Sequence, residues 1–349
     1  MNRALYGIGA ITLVTAGAAG AHDGDWLQDQ QAVIVTASNT ASNELLIYGP
    51  DGALVKTLST EGQGGVSGNA GGIAQNHDRL AVVNFGSTNV SVFLKDAERA
   101  RLLFSQTVPA LASPVSVAFG KDHLYILTTT HVESHRMDHD GVSKLADGSA
   151  ALLVGDGSAA QVGVLPHELV FSEKSNAIET VKLDERGAIT GKAGMVANIP
   201  SNVNAPFGLA TRGNDAYVTI AHANEISLVR HDAVLTVTGS GTQSAPCWLA
   251  LDGPFLFSSN SPSETVSRYA VYGEKIIQDA AVVAKFNGDP TDIAYRDGMA
   301  AVVDSNGTLS HVSSFAVDED GNFTLKGVAT IDNATANGIA IVVFDGTFY

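Results

Sequence analysis

Short apolar runs, each broken by a polar turn, recur along most of the chain, and seven of them align. They begin at Glu44, Asn89, His131, Ala177, Glu225, Thr265 and His311. Each carries an aliphatic residue at its second position: Leu45, Val90, Val132, Ile178, Ile226, Val266 and Val312. Most carry a large apolar residue at the fifth, as in Tyr48, Phe93, Tyr269 and Phe315. Runs this short, with side chains of both faces apolar, predict strands rather than helices.

A second set of runs precedes the first. Its members are residues 70–74, 113–118, 159–162, 205–210, 245–250 and 289–294, most of them starting at or next to Pro or Gly. The units lie roughly 38 to 48 residues apart, the length of one four-stranded propeller blade. Turn signals fall where fourth strands should be reached, at Pro50-Asp51-Gly52, Asp138-His139-Asp140-Gly141, Asp184-Glu185-Arg186-Gly187 and Asp318-Glu319-Asp320-Gly321.

The two chain ends complete this pattern. The first unit goes directly into Val33-Ile34-Val35, without a leading strand, and Ala336 to Val342 supplies such a strand at the far end. The expectation is an all-β, seven-bladed β-propeller of four-stranded antiparallel blades, with N- and C-terminal strands sharing one blade. That closure removes the open edge of a linear array of sheets. A two-domain β-sandwich is the alternative, but it does not explain a strand missing at one end and present at the other.

Composition supports many short strands. Only 16% of residues are charged, against about 25% in ordinary globular chains. The 36 glycines are spread throughout instead of marking one linker. Met1-Asn2-Arg3, the mostly apolar run Ala4 to Val14, and Ala19-Gly20-Ala21 have the form of a cleavable export signal. The expected organisation is therefore a signal peptide at 1–21 and a single propeller at 22–349, secreted or periplasmic, with no membrane span once the signal is removed.

A net charge of −16 argues against nucleic-acid and anionic-membrane partners, which need clustered Lys and Arg. The lone Cys247 rules out an internal disulfide and sits in an apolar run, where a buried inert thiol is expected.

Several stretches resemble the β-propeller lactonase superfamily, which includes 6-phosphogluconolactonases and carboxymuconate cyclases. They are Ala160-Gln161-Val162-Gly163 running on to Ile178, Ala205 to Ala210, Ala245-Pro246-Cys247-Trp248 running on to Tyr269, and Asn337-Gly338-Ile339-Ala340. The resemblance implies the propeller fold and lactone hydrolysis or cyclisation. The His, Arg and Glu constellation of the cytoplasmic members has no counterpart here, so the resemblance assigns no catalytic residue. His167, the nearest histidine, falls in a turn.

In a propeller, the loops entering first strands and the turns joining second to third strands surround one channel mouth. This places a rim rich in Asn, Gln, Ser and Gly there, suited to a small neutral polar molecule. Lys174 is the single cation on it, so a phosphorylated substrate lacks the Arg and Lys forks it would need. Lactone hydrolysis requires a base and oxyanion donors. Glu173, His222 and Asp292 are the candidate catalytic residues, with Lys174, Asn84, Gln161, Asn204, Asn260 and Trp248 as ligand-binding candidates. Polar loop residues of propellers also satisfy turn backbones, the structural role these nine would otherwise have. His131, His135 and His139 raise a metal reading, but His135 occupies a packing position, and neither a metal nor another cofactor is expected. Function is read as a lactonase-like exported propeller acting on a neutral or weakly charged lactone. The alternative is a non-catalytic propeller that binds a small polar ligand or a protein partner.

Overall fold

The computed structural model describes residues 32–199 and 205–344, so the signal peptide expected at 1–21 lies outside the described residues. Seven antiparallel sheets form the blades of a ring. Their innermost strands are Asn337–Val343, Ile73–Gln75, Pro114–Phe119, Ala159–Leu165, Pro206–Arg212, Pro246–Asp252 and Asp289–Arg296, for blades 1 to 7 in that order. Each inner strand packs beside the next, and the seventh returns to the first.

Blade 1 has the expected shared construction. Ala32–Ala37 pairs on one side with Glu44–Tyr48 and on the other with Asn337–Val343, bringing Val35 opposite Ala340 and Ile34 opposite Ile341. Closure thus rests on a full strand ladder, and Thr36 Oγ1 adds a hydrogen bond to Gly338 O at 2.7 Å.

The repeat marks the core. All seven second-position residues, Leu45 to Val312, are at most 1% exposed. The fifth positions Tyr48, Phe93, His135, Val181, Val229, Tyr269 and Phe315 are also buried. Both faces of each blade pack on neighbouring blades, which is why these strands read as nearly continuous apolar runs. Burying one such Phe contributes about 2–3 kcal/mol.

Two elements differ from expectation. The run 70–74 is a strand only over Ile73–Gln75, because the residues before it leave the sheet for the channel. In blade 3 the outer strand is broken into Gly141–Val142 and Gly148–Ala151. His135 Nδ1 donates to Ser143 O at 2.9 Å and Asp147 pairs with His123 at 2.7 Å, pinning the excursion at both ends.

Candidate functional site: a channel mouth filled by the chain

Inner strands begin, second strands end and third strands begin at one face of the ring, the inlet face. Pro246 lies opposite Asn260, and Asn260 opposite Thr265, in the register that defines it. The sequence Gly62-Gln63-Gly64-Gly65-Val66-Ser67-Gly68-Asn69-Ala70-Gly71-Gly72 links blade 1 to blade 2 across this face. Gly68 and Gly71 have φ of +60° and +62°, conformations an L side chain rarely adopts. A Cβ on Gly71 would also come within 2.9 Å of Ser116 Oγ. Glycine at these positions lets the backbone turn inward and run against the inner strands.

This segment fills the axis. Lys174 Nζ of blade 4 donates to Gly68 O at 2.7 Å, and Trp248 Nε1 of blade 6 donates to Asn69 O at 2.8 Å. The Asn69 side chain is fully buried, donating to Val115 O of blade 3 and accepting from Asn337 Nδ2 of blade 1 at 3.1 Å. Ala70 N donates to Ala160 O of blade 4 at 3.2 Å. Gly71 O accepts from Val117 N at 2.9 Å and from Ser116 Oγ at 3.1 Å. The carboxyl of Asp292 in blade 7 accepts from Ile293 N at 2.8 Å and lies close to the backbone N–H groups of Gly71 and Ile339. Residues 68–71 therefore act as a plug tied to blades 1, 3, 4, 6 and 7.

The candidate residues fall into distinct environments. Lys174, Trp248 and Asp292 hold the plug. Gln161 stands beside it and accepts from Leu209 N at 2.6 Å. Burial pushes the Asp292 carboxyl up to about 7, against the pull of these three backbone N–H groups. Burial likewise lowers the Lys174 ammonium, whose Nζ stands 5.6 Å from the Phe207 ring centre.

Glu173 is fully buried. It accepts from Gly155 N at 3.0 Å and stands against the carboxyl of Glu179, which holds Leu153 N at 2.9 Å. Desolvation first, then Glu179, push the Glu173 carboxyl up to about 8. The pair clamps three successive N–H groups of the loop entering blade 4, and one proton between two carboxyls keeps that clamp from self-repulsion.

Asn84 is fully buried, donating to Ser91 Oγ at 2.7 Å and accepting from Thr60 Oγ1 at 2.7 Å. Asn260 donates to Ser267 Oγ at 2.8 Å, leaving its buried Oδ1 without a partner among the described residues. His222 is exposed on a short 3-10 turn, Ala221–Ala223. Asn204 lies outside the described residues. The three candidate bases are not brought to one accessible space: Asp292 is on the plug, Glu173 inside a loop clamp and His222 on the surface.

The histidines near 135 also separate. His131 Nδ1 lies 2.9 Å from Thr130 Oγ1, while His135 faces Ser143 and Glu133. Asp138, His139 and Asp140 have ligand atoms within 4.8 Å of one another, on an exposed turn that includes neither His131 nor His135. Cys247 is buried, and desolvation pushes its thiol up to about 12, the inert state expected of it.

The sequence places this loop, which enters an inner strand, on the rim and does not foretell the plug. Its signal was the density of glycine between two strands, with Asn69 among them. Larger spaces lie elsewhere. A cleft of about 1130 Å³ opens between blades 3 and 4 on the opposite face, lined by charged residues including Asp122, Arg136, Asp184 and Arg186.

No family model and no curated protein matches this chain in sequence. Solved structures do match it in shape. A periplasmic gluconolactonase of Pseudomonas aeruginosa is 16% identical with a TM-score of 0.62, covering 90% of this chain and 99% of its own. A candidate 6-phosphogluconolactonase of Bacteroides fragilis is 15% identical with a TM-score of 0.64, over 90% and 99% of the two chains. A functionally unknown protein of Desulfotomaculum acetoxidans reaches 0.67 at 12% identity, again over 90% and 99%. The chain therefore shares the overall fold of these structures.

Proposed function

We propose that this protein is an exported propeller that binds a partner or small ligand without turning over a lactone at its channel mouth. One observation carries the reading: the plug at residues 68–71 already engages Lys174, Trp248, Asp292 and Asn337. A lactone carbonyl would need those donors, and an attacking water would need a base beside it. Asp292 instead faces backbone N–H groups, and Glu173 is sealed in its clamp.

The names borne by structural neighbours favour a second reading, lactone hydrolysis, and the two separate in one experiment. Purified protein is assayed against a panel of neutral five- and six-membered lactones, beside Asp292→Asn and Glu173→Gln variants. Binding without turnover predicts no rate above the buffer background in any of the three. Turnover by the wild type that either variant abolishes would establish the hydrolase instead.

A further inference from the structure

Away from the axis, a groove of about 350 Å³ runs between blades 6 and 7. Phe286, Phe315 and Phe323 line it, with Asp304 and His311 among its walls. Phe315 stands 5.3 Å from Phe323 and 6.0 Å from Phe286, centre to centre, so the rings form one continuous aromatic wall. Leu325 and Val328, 56% and 50% exposed, extend the apolar surface outward.

Asp304 is 2% exposed, and its Oδ1 lies 3.0 Å from His311 Nδ1. A carboxylate only accepts, so Nδ1 carries a proton, and in the neutral imidazole Nε2 is then the acceptor. No described residue bonds Nε2. An imidazole oriented from behind by a buried carboxylate, with its second nitrogen uncommitted, suits a ligand hydroxyl.

The same register position in other blades shows how unusual this pair is. Asp304 lies opposite His311 as Asn84 lies opposite Asn89, Glu173 opposite Ala177, and Asn260 opposite Thr265. Asn84 and Glu173 fasten the loop arriving from the preceding blade, through Thr60 and Gly155 respectively. In blade 7 the corresponding carboxyl, Asp304, meets the His311 ring instead.

We propose that this groove is a binding site for a small phenol, its ring packed on the Phe315 and Phe323 wall and its hydroxyl donating to His311 Nε2. The volume suits a single ring, and edge-on or offset contacts with Phe are the favoured aromatic geometry. The site is independent of the channel, so lactone turnover or its absence leaves this inference unaffected.

The test uses the full chain with ¹⁵N-labelled histidine, titrated with 4-methylphenol and, separately, with 4-methylanisole, which lacks the donor. The expected result is saturable binding of the phenol with movement of the His311 ring resonances, and binding of the ether weaker by about tenfold, the order of one lost hydrogen bond to an oriented imidazole. His311→Leu should bring the phenol down to the ether's level. Equal affinity for phenol and ether in the wild-type protein, no saturation up to the solubility limit, or shifts confined to other histidines would each overturn the proposal. The ligand-side comparison needs no variant, so it holds even if His311→Leu fails to fold.

Discussion

The axis and the groove between blades 6 and 7 are built from similar residues but use them in opposite ways. At the axis Lys174, Trp248 and Asp292 meet the protein's own backbone, and Asn337 meets the Asn69 side chain. In the groove Asp304 orients His311, and the second imidazole nitrogen meets no described group. A polar residue near a cavity therefore indicates a ligand only when the chain has not already supplied its partner. Propellers make this distinction hard to see, because loops from every blade converge on the inlet face.

The largest effect that would break this contrast is loss of the Asp292 carboxylate. Asp292→Ala leaves Ile293 N without its acceptor and removes the carboxyl beside the N–H groups of Gly71 and Ile339, and should destabilise the protein by about 3 kcal/mol in urea unfolding. The Gly71 amide should lose its protection from hydrogen exchange in the same variant. A loss below about 1 kcal/mol would mean that the plug is held without Asp292.

The Glu173–Glu179 clamp gives an intermediate effect with a defined sign. The unfolded Glu173 loses its proton near 4.5, whereas the folded one keeps it up to about 8. Its stabilising contribution is complete below 4.5 and is lost as pH rises through that window, with a slope of at most about 1.4 kcal/mol per pH unit. Asp292, raised to about 7, adds a slope of the same sign. Unfolding measured across pH 5–8 should therefore show a shallower decline in Glu173→Gln than in the wild type, with the Asp292 part remaining. Identical slopes would place the shared proton elsewhere.

The smallest effect sharpens the groove. Lys285 is exposed at its rim, and Lys285→Ala should change stability by no more than about 0.5 kcal/mol, as expected of an uncommitted surface side chain. A larger loss in thermal unfolding would show that the rim supports the fold and is not simply an opening.

The legibility of this chain differs between strands and loops. The run beginning at Glu44 matches the strand Glu44–Tyr48, and the other six third strands begin at or within one residue of their expected starts. Hydrophobic period and Pro or Gly punctuation sufficed there, because a blade buried on both faces imposes its pattern on every strand. Wherever loop backbone competes for a side chain, the pattern gives no such guide. Glu173, Lys174, Asn84 and Asn260 were recognisable as inlet-face residues, but not as a loop clamp, a plug anchor, a loop fastener and a buried amide tied to its own blade.

The order of apolar runs, their number and the strand displaced from one end of the chain to the other were enough to determine a closed seven-bladed ring. Each of those features is a local preference repeated many times, and repetition averages out local exceptions. Whether the channel stayed open was decided by tertiary structure alone. It depended on which hydrogen-bonding groups from distant blades found one glycine-rich segment first, and that competition is settled in space, between residues as far apart in sequence as Asn69 and Asn337.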